Sequence, residues 1–484
     1  MRRAAWGLAF CLLAAELSFG HHIKQGATRN MPVTTSSPKA RTLFEQAMQD
    51  YENLHLERAN DKWRAASHAD PNFALAYAWI AFNGRDPVEA SAARKKAKAL
   101  TEKASPGEKL MIQWIVSVQE NNALAGIAAM NDMLEMYPKD KRLYYLVGNW
   151  MMGVNGYQQA QKMFERGLAI DKNYAAALND IAYCFARDRD FGKAFGAMER
   201  YVALLPKEPN PQDSYGEISR MSGNYDAALE HYRDALKLDP GFISSQLGVA
   251  DTYALMGDEK RARAEYDKAI ESAPTAADKA DYMLQRAASW VREKNYAEAD
   301  KAYAETAAMA ASNGLDLEEA QAHRMTSLYQ PEDAVALKHL EEAEQALAHK
   351  GNATEADVLQ EKAIILRYRA VRADHAGNAE LASKMLQQLE AIAAGSRSYI
   401  VQGAYHGALG AMLIRKEKID EAIPHLEEDQ ENPFSLELLA RAYQERGDSE
   451  KRHEVEVKLR SLNVPTVEQA MVVPEVRSQR PSGE

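Results

Sequence analysis

Between Lys141 and Pro274 the small, large apolar and breaking positions of the chain recur in columns 34 residues apart. A small slot is filled by Ala160, Ala194, Ala228 and Ala262, and four residues later a large one by Phe164, Met198, Tyr232 and Tyr266. Gly167, Tyr201, Ala235 and Ala269 follow three positions on, and five beyond them stand Lys172, Pro206, Pro240 and Pro274, with Pro138 one unit earlier. Upstream, Gly148, Ala182, Gly216 and Ala250 form another small column, and Met151, Phe185, Ser219 and Tyr253 form a further column of mixed size. Spacings of three and four put these residues on one face of a helix. Asn155-Gly156, Gly223-Asn224 and Gly257-Asp258 interrupt the pattern where a turn is due, and the terminal prolines stop the second run. The pattern therefore predicts two antiparallel helices per unit, close-packed at the small slots, with the large residues filling the space between units.

The register extends beyond this core. It reads well from Gly107 to Pro138, and Ala59, Trp63, Ala66 and Pro71 repeat the same offsets. The stretch between Pro71 and Pro106 is degenerate, with Ala93, Ala97 and Leu100 in the slots. After Pro274 the small slot reappears at Ala299, Ala336, Ala382 and Ala422, at spacings of 37, 37, 46 and 40, and the terminal proline is lost. These units predict longer helices or loops, with a change of pitch near 275–315. The count is about twelve pairs from 39 to 462. Ser449 to Leu462 is charged, with Arg452 in the small slot, as expected of a capping helix. Residues 463–484 carry Pro465, Pro474 and Pro481 and read as a Pro-containing tail unable to form one helix.

A 34-residue unit with a small–aromatic–Ala–Pro order resembles the tetratricopeptide repeat. The resemblance implies an all-α, right-handed α-solenoid of stacked pairs, with a concave surface lined by the first helix of each. It also implies a function, the binding of protein or peptide segments along that surface.

The N-terminus reads differently. Arg2-Arg3, the apolar run Ala4 to Ala15 and Ser18-Phe19-Gly20 have the layout of a signal peptide, 1–20, too short to span a bilayer. Residues 21–38 lack periodicity and read as a flexible lead-in. They precede a regular array at 39–274 and a divergent one at 275–462. A periplasmic or secreted protein is expected, with no stable membrane anchor after cleavage. Cleavage removes two arginines and one glutamate and takes the net charge from −11 to −12. That acidity excludes nucleic acid as a natural partner. Only Cys184 remains, so no internal disulfide is expected.

By spacing, the groove-facing residues are Arg142, Tyr145, Asn149, Asn179, Tyr183, Arg187, Asp213, Glu217, Arg220, Ser244 and Asp251. Tyrosines, amides and charges of both signs suit peptide recognition. Asn149, Asn179 and Arg187 superficially resemble the family's clamp for C-terminal carboxylates. Ala176 and Tyr183 stand where its lysines are expected, which argues against one. Cys184 and the many methionines read as core, and Asn352-Ala353-Thr354 is a sequon. HExxH, GxSxG, phosphate-loop and CxxC motifs are absent, and no two histidines pair at i,i+4 on a helix. No catalytic residue, cofactor or metal is therefore expected, and His21-His22 offers at most a weak Cu(II)-type site. The expected function is a binding scaffold of the cell envelope. The alternatives are an assembly protein that self-associates through repeat ends or convex faces and, more remotely, an enzyme using His323, His339, His375 or His406 in the C-terminal half.

Overall fold

The computed structural model describes residues 30–478 except 54, 85, 154 and 350–352. The leader, His21-His22 and Asn352 of the sequon lie outside the described residues. Every regular element among the described residues is helical. The first six pairs are α1 (Pro38–Glu52) with α2 (Leu56–Ala69), α3 (Ala74–Asn83) with α4 (Pro87–Leu100), α5 (Pro106–Gln119) with α6 (Ala123–Met136), α7 (Lys141–Gly153) with α8 (Tyr157–Ile170), α9 (Ala175–Arg187) with α10 (Phe191–Leu204), and α11 (Pro209–Met221) with α12 (Tyr225–Leu238). The next six are α13 (Ile243–Leu255) with α14 (Glu259–Glu271), α15 (Ala276–Arg292) with α16 (Tyr296–Ser312), α17 (Asp316–Tyr329) with α18 (Asp333–Leu347), α19 (Glu355–His375) with α20 (Ala379–Gly395), α21 (Tyr399–Arg415) with α22 (Ile419–Glu427), and α23 (Pro433–Arg446) with α24 (Ser449–Arg460). A last helix, α25 (Val467–Ser478), follows. The architecture is an all-α solenoid in which each pair packs on the next.

The columns have the physical role their residue sizes imply. Ala160, Ala194, Ala228, Ala262, Ala299 and Ala336 are fully buried, as are Phe164, Tyr266 and Tyr303. Tyr232 on α12 is clamped between two glycines: a Cβ on Gly216 would fall 2.9 Å from its ring and one on Gly248 only 2.4 Å. Within pairs the turn is stereotyped. A left-handed residue such as Gly223, Gly257, Gly377 or Gly447 precedes an Asn or Asp whose side chain caps the second helix, at Asn224, Asp258, Asn378 and Asp448. The helices lengthen in the C-terminal half, reaching 21 residues in α19.

Both ends of the described chain differ from a plain reading of the sequence. Residues 30–37 of the lead-in are extended and tied across the edges of three pairs. Thr35 Oγ1 donates to Asp70 (2.5 Å), the Thr34 N–H to Glu108 (2.7 Å) and the Met31 N–H to Asp140 (2.8 Å). In the tail, α25 runs through Pro474. An interior proline costs about 3 kcal/mol. Burial of Val467, Val472 and Val473, each contributing about 1.5–3 kcal/mol, more than offsets it. This helix packs on α23 and α24 and reaches back to α15 and α17, bridging the concave side.

Distant pairs also meet. Helix α19 touches α5. Arg187 pairs with Glu431. Tyr225 Oη donates to Asn463 Oδ1 (2.7 Å), and Asn463 Nδ2 donates to the Met221 carbonyl (3.2 Å). Pair three thus lies against pair ten, and pairs five and six against the C-terminal segment. Successive turns of the solenoid are in contact.

Candidate functional site: the inner wall of the solenoid

The inner wall divides into a filled half and an open half. Over pairs four to six the α1–α2 turn reaches inward. Glu52 Oε1 accepts from Arg142 Nε (2.5 Å) and Tyr174 Oη (3.2 Å). His55 Nε2 lies 2.6 Å from Glu208 Oε2, with its ring edge-on to Phe242. Tyr51 packs on Trp63 and Trp79. Burial raises its phenol pKa, and the charge of Asp180 adds to the shift.

Most of the residues expected to face a groove are consequently engaged within the chain. Arg142 is paired with Glu52, and Tyr145 is buried edge-on to Tyr174. Asn149 Nδ2 donates to the Tyr145 carbonyl (3.2 Å) and Asn179 Nδ2 to Asp180 (2.8 Å). Tyr183 Oη donates to Glu217 (2.9 Å), and Arg220 bridges Glu217 (3.2 Å) and Asp251 (3.1 Å), which also accepts from Tyr266 (2.6 Å). Four of the expected residues, Tyr183, Glu217, Arg220 and Asp251, thus form one polar ladder across successive first helices. Asp213 accepts from Ser245 Oγ (2.6 Å). Arg187 is held by Glu431 and stacks over Tyr157. With Asn179 buried and Arg187 paired, the clamp-like trio does not converge on one ligand position. Cys184 is fully buried, and burial pushes its thiol up to about 12.

The ladder gives a pH dependence. Burial pushes the Asp213 carboxyl up to about 7, against the opposing bond from Ser245. A carboxyl raised in the folded state stabilises below its unfolded value, near 4, and that stability is lost as pH rises through about 7. Asp213→Asn keeps an acceptor for Ser245 without the charge. In urea unfolding at pH 8 the variant is expected to exceed the parent by about 1–2 kcal/mol or more, with the gap narrowing below pH 7 and closing only below about pH 4. Parallel profiles for the two proteins would refute buried ionisation here.

The open half is a cavity of about 1210 Å³ bounded by α13, α15, α17, α19, α21, the segment before α23, and residues 464–468 leading into α25. Ser244 and Asp251 are the two expected residues on its wall. Glu318, Glu427 and Glu428, which belong to acid pairs that sequence alone reads as solvated helix faces, also line it; Asp278, Asp281, Tyr282, Arg324, Arg367, Tyr368, Asp429, Glu431, Lys458 and Glu468 were not singled out by sequence. The wall is acidic. Its three cations already serve carboxylates, with Arg324 on Glu361, Arg367 on Asp429 (2.8 Å) and Lys458 near Glu431 (3.7 Å). The readable signal was the continued alternation of first and second helices past residue 274, which assigns α15, α17, α19 and α21 to the inner wall.

Of the four histidines singled out in the C-terminal half, His375 pairs with Asp333 (2.6 Å), and His406 stacks on His425 with their Nδ1 atoms 2.8 Å apart. His323 and His339 face each other across pair nine.

Residues 220–288 match the tetratricopeptide repeat family model. Over 118 residues the chain is 25% identical to a UDP-N-acetylglucosamine–peptide N-acetylglucosaminyltransferase of Giardia intestinalis, covering 24% of this chain and 8% of that protein. Among solved structures it is similar to a tetratricopeptide repeat protein from Parabacteroides merdae (14% identical, 63% of this chain and 99% of that one, TM-score 0.35). It is also similar to PilW, a type IV pilus biogenesis factor (14%, 50% and 98%, TM-score 0.31). A third is a thermophilic repeat protein of Thermus thermophilus (21%, 38% and 98%, TM-score 0.32). No helix among the described residues is long and apolar enough to cross a membrane.

Proposed function

We propose that this chain is a protein-binding scaffold of the cell envelope that takes a short basic segment of a partner into the acid-walled cavity of its C-terminal half. The observation carrying this reading is the cavity itself, whose wall holds Asp281, Glu318, Glu428 and Glu468 while its cations are already paired. A lysine- or arginine-rich stretch complements that wall. The upper groove residues are engaged within the chain, so the partner's route lies lower, past Ser244 and Asp251. The leader expected at 1–20 supports an envelope location. The reading assigns the protein no chemistry of its own.

Asp281 and Glu428 are exposed at the cavity, so charge reversal there leaves the buried core intact; Asp281 has a contact of its own within the chain, so Glu428→Lys alone is read beside the double variant. Arg187 and Arg220 are unsuitable for this purpose, because reversing either would break an internal pair. In fluorescence anisotropy a basic peptide is expected to bind in a salt-sensitive way and an acidic one of equal length to bind weakly. Asp281→Lys with Glu428→Lys is expected to lower the basic peptide's affinity at least about tenfold. Equal binding of both peptides, or indifference to the double reversal, would refute the reading. Light scattering at high concentration tests self-association: a monomer that still binds peptide favours the scaffold.

A further inference from the structure

Pair nine brings together two histidines and a carboxylate that the sequence keeps apart. His323 lies on α17, while His339 and Glu342 lie one turn apart on α18, and one ligand atom from each falls within 4.8 Å of the others. Glu342 Oε2 is 3.3 Å from His323 Nδ1 and 3.1 Å from His339 Nδ1. The imidazole rings are near-parallel, 26° apart, with centroids separated by 6.0 Å. None of the three lines the cavity, so this cluster is independent of the proposed peptide site.

We propose that His323, His339 and Glu342 form a binding site for a divalent transition ion of the zinc type. Zinc bonds of about 2.0–2.1 Å place neighbouring ligand atoms about 3.3 Å apart along the edges of a tetrahedron. The two measured separations match such edges. They are long for charge-assisted hydrogen bonds, which run at about 2.7–2.9 Å. The second observation concerns His339 Nδ1, which is shielded from solvent and has no well-aligned hydrogen-bond partner. That nitrogen is placed to give a lone pair to a metal ion. Lys338 lies 3.7 Å from the other carboxylate oxygen, Oε1, and leaves Oε2 to the histidines. Two nitrogens and one carboxylate oxygen suit Zn(II) better than Mg(II) or Ca(II), which take oxygen ligands. Three protein ligands leave a fourth position for water or for a side chain brought by a partner.

The test uses the full chain carrying His21→Ala, His22→Ala and His406→Ala, which breaks up the two other close histidine pairs, His21-His22 and His406–His425. Titration with Co(II) is expected to give the intense visible bands of tetrahedral coordination at one equivalent, displaced by Zn(II). His339→Ala and Glu342→Gln are each expected to weaken binding at least about tenfold. His375→Ala, at the end of α19 in the next pair, where the ring meets Asp333, should leave it unchanged. Zinc is also expected to raise the thermal midpoint of the parent and not of His323→Ala, provided both show the same helical circular dichroism. Equal affinity in the triple variant His323→Ala, His339→Ala, Glu342→Gln, or octahedral cobalt bands throughout, would overturn the assignment.

Discussion

Replacing Asp429 with alanine is expected to destabilise the C-terminal half of the solenoid by about 3–5 kcal/mol, the usual cost of orphaning a buried charge. Asp429 and Arg367 each have side chains only 7% exposed, and their atoms meet at 2.8 Å. Ser435 completes the cluster, donating to Asp429 (2.5 Å) and accepting from Arg367 Nη2 (2.8 Å). Burial raises the Asp429 carboxyl, and Arg367 opposes the shift. The cluster fits because α21 carries glycine beneath it: a Cβ on Gly407 would lie 2.3 Å from Asp429 Oδ2 and 2.6 Å from Arg367 Nη2. Urea unfolding should report the loss for Asp429→Ala, whereas Arg367→Met with Asp429→Leu should recover most of it, since an apolar pair leaves no charge uncompensated. A single variant as stable as the parent would show that the pair is solvated rather than sealed.

Gly248→Ala is expected to lower stability by about 1–2 kcal/mol although alanine is the better helix former. Helix propensity favours the substitution by about 1 kcal/mol. Overpacking a filled site costs about 1–3 kcal/mol, more when nothing can move. The new methyl would stand 2.4 Å from two ring atoms of Tyr232, and the ring has no room to retreat because Gly216 presses its other side. Thermal melts of Gly248→Ala, Tyr232→Leu and the double variant form a cycle. The methyl should be nearly harmless once the ring is gone, giving a coupling energy above about 1 kcal/mol. Additive losses would mean that the ring is free to swing aside.

The helix pairs were legible because each column repeats one packing problem. Ala228, Tyr232 and Pro240 specify the same local geometry as Ala262, Tyr266 and Pro274, and the twelve pairs follow from that register. The inner wall was legible only as a direction. Spacing identifies which side of α7 or α9 points inward, but not that Glu52 and His55, about a hundred residues earlier or more, already stand there. Contacts between turns depend on the pitch of the whole stack, which no 34-residue window contains. The zinc-type cluster was hidden for a related reason. A search along single helices finds no i,i+4 histidine pair, while His323 and His339 are joined by the antiparallel packing of α17 on α18. The tail was read from its three prolines, yet a helix lies between Pro465 and Pro481 and runs through Pro474, because the valines around it supply the burial that a proline rule leaves out.

In an ordinary repeat array each unit depends only on its neighbours, so a chain emerging from its amino end can settle as it appears. Here Arg187 waits 244 residues for Glu431, and Tyr225 waits 252 for Arg477. Pairs five and six can therefore assemble early during synthesis, yet stay unsealed along one flank until Glu431 and Arg477 have been made. Completion is a single late locking event, and the interval before it is when the inner wall is most accessible to chaperones, proteases or a client segment.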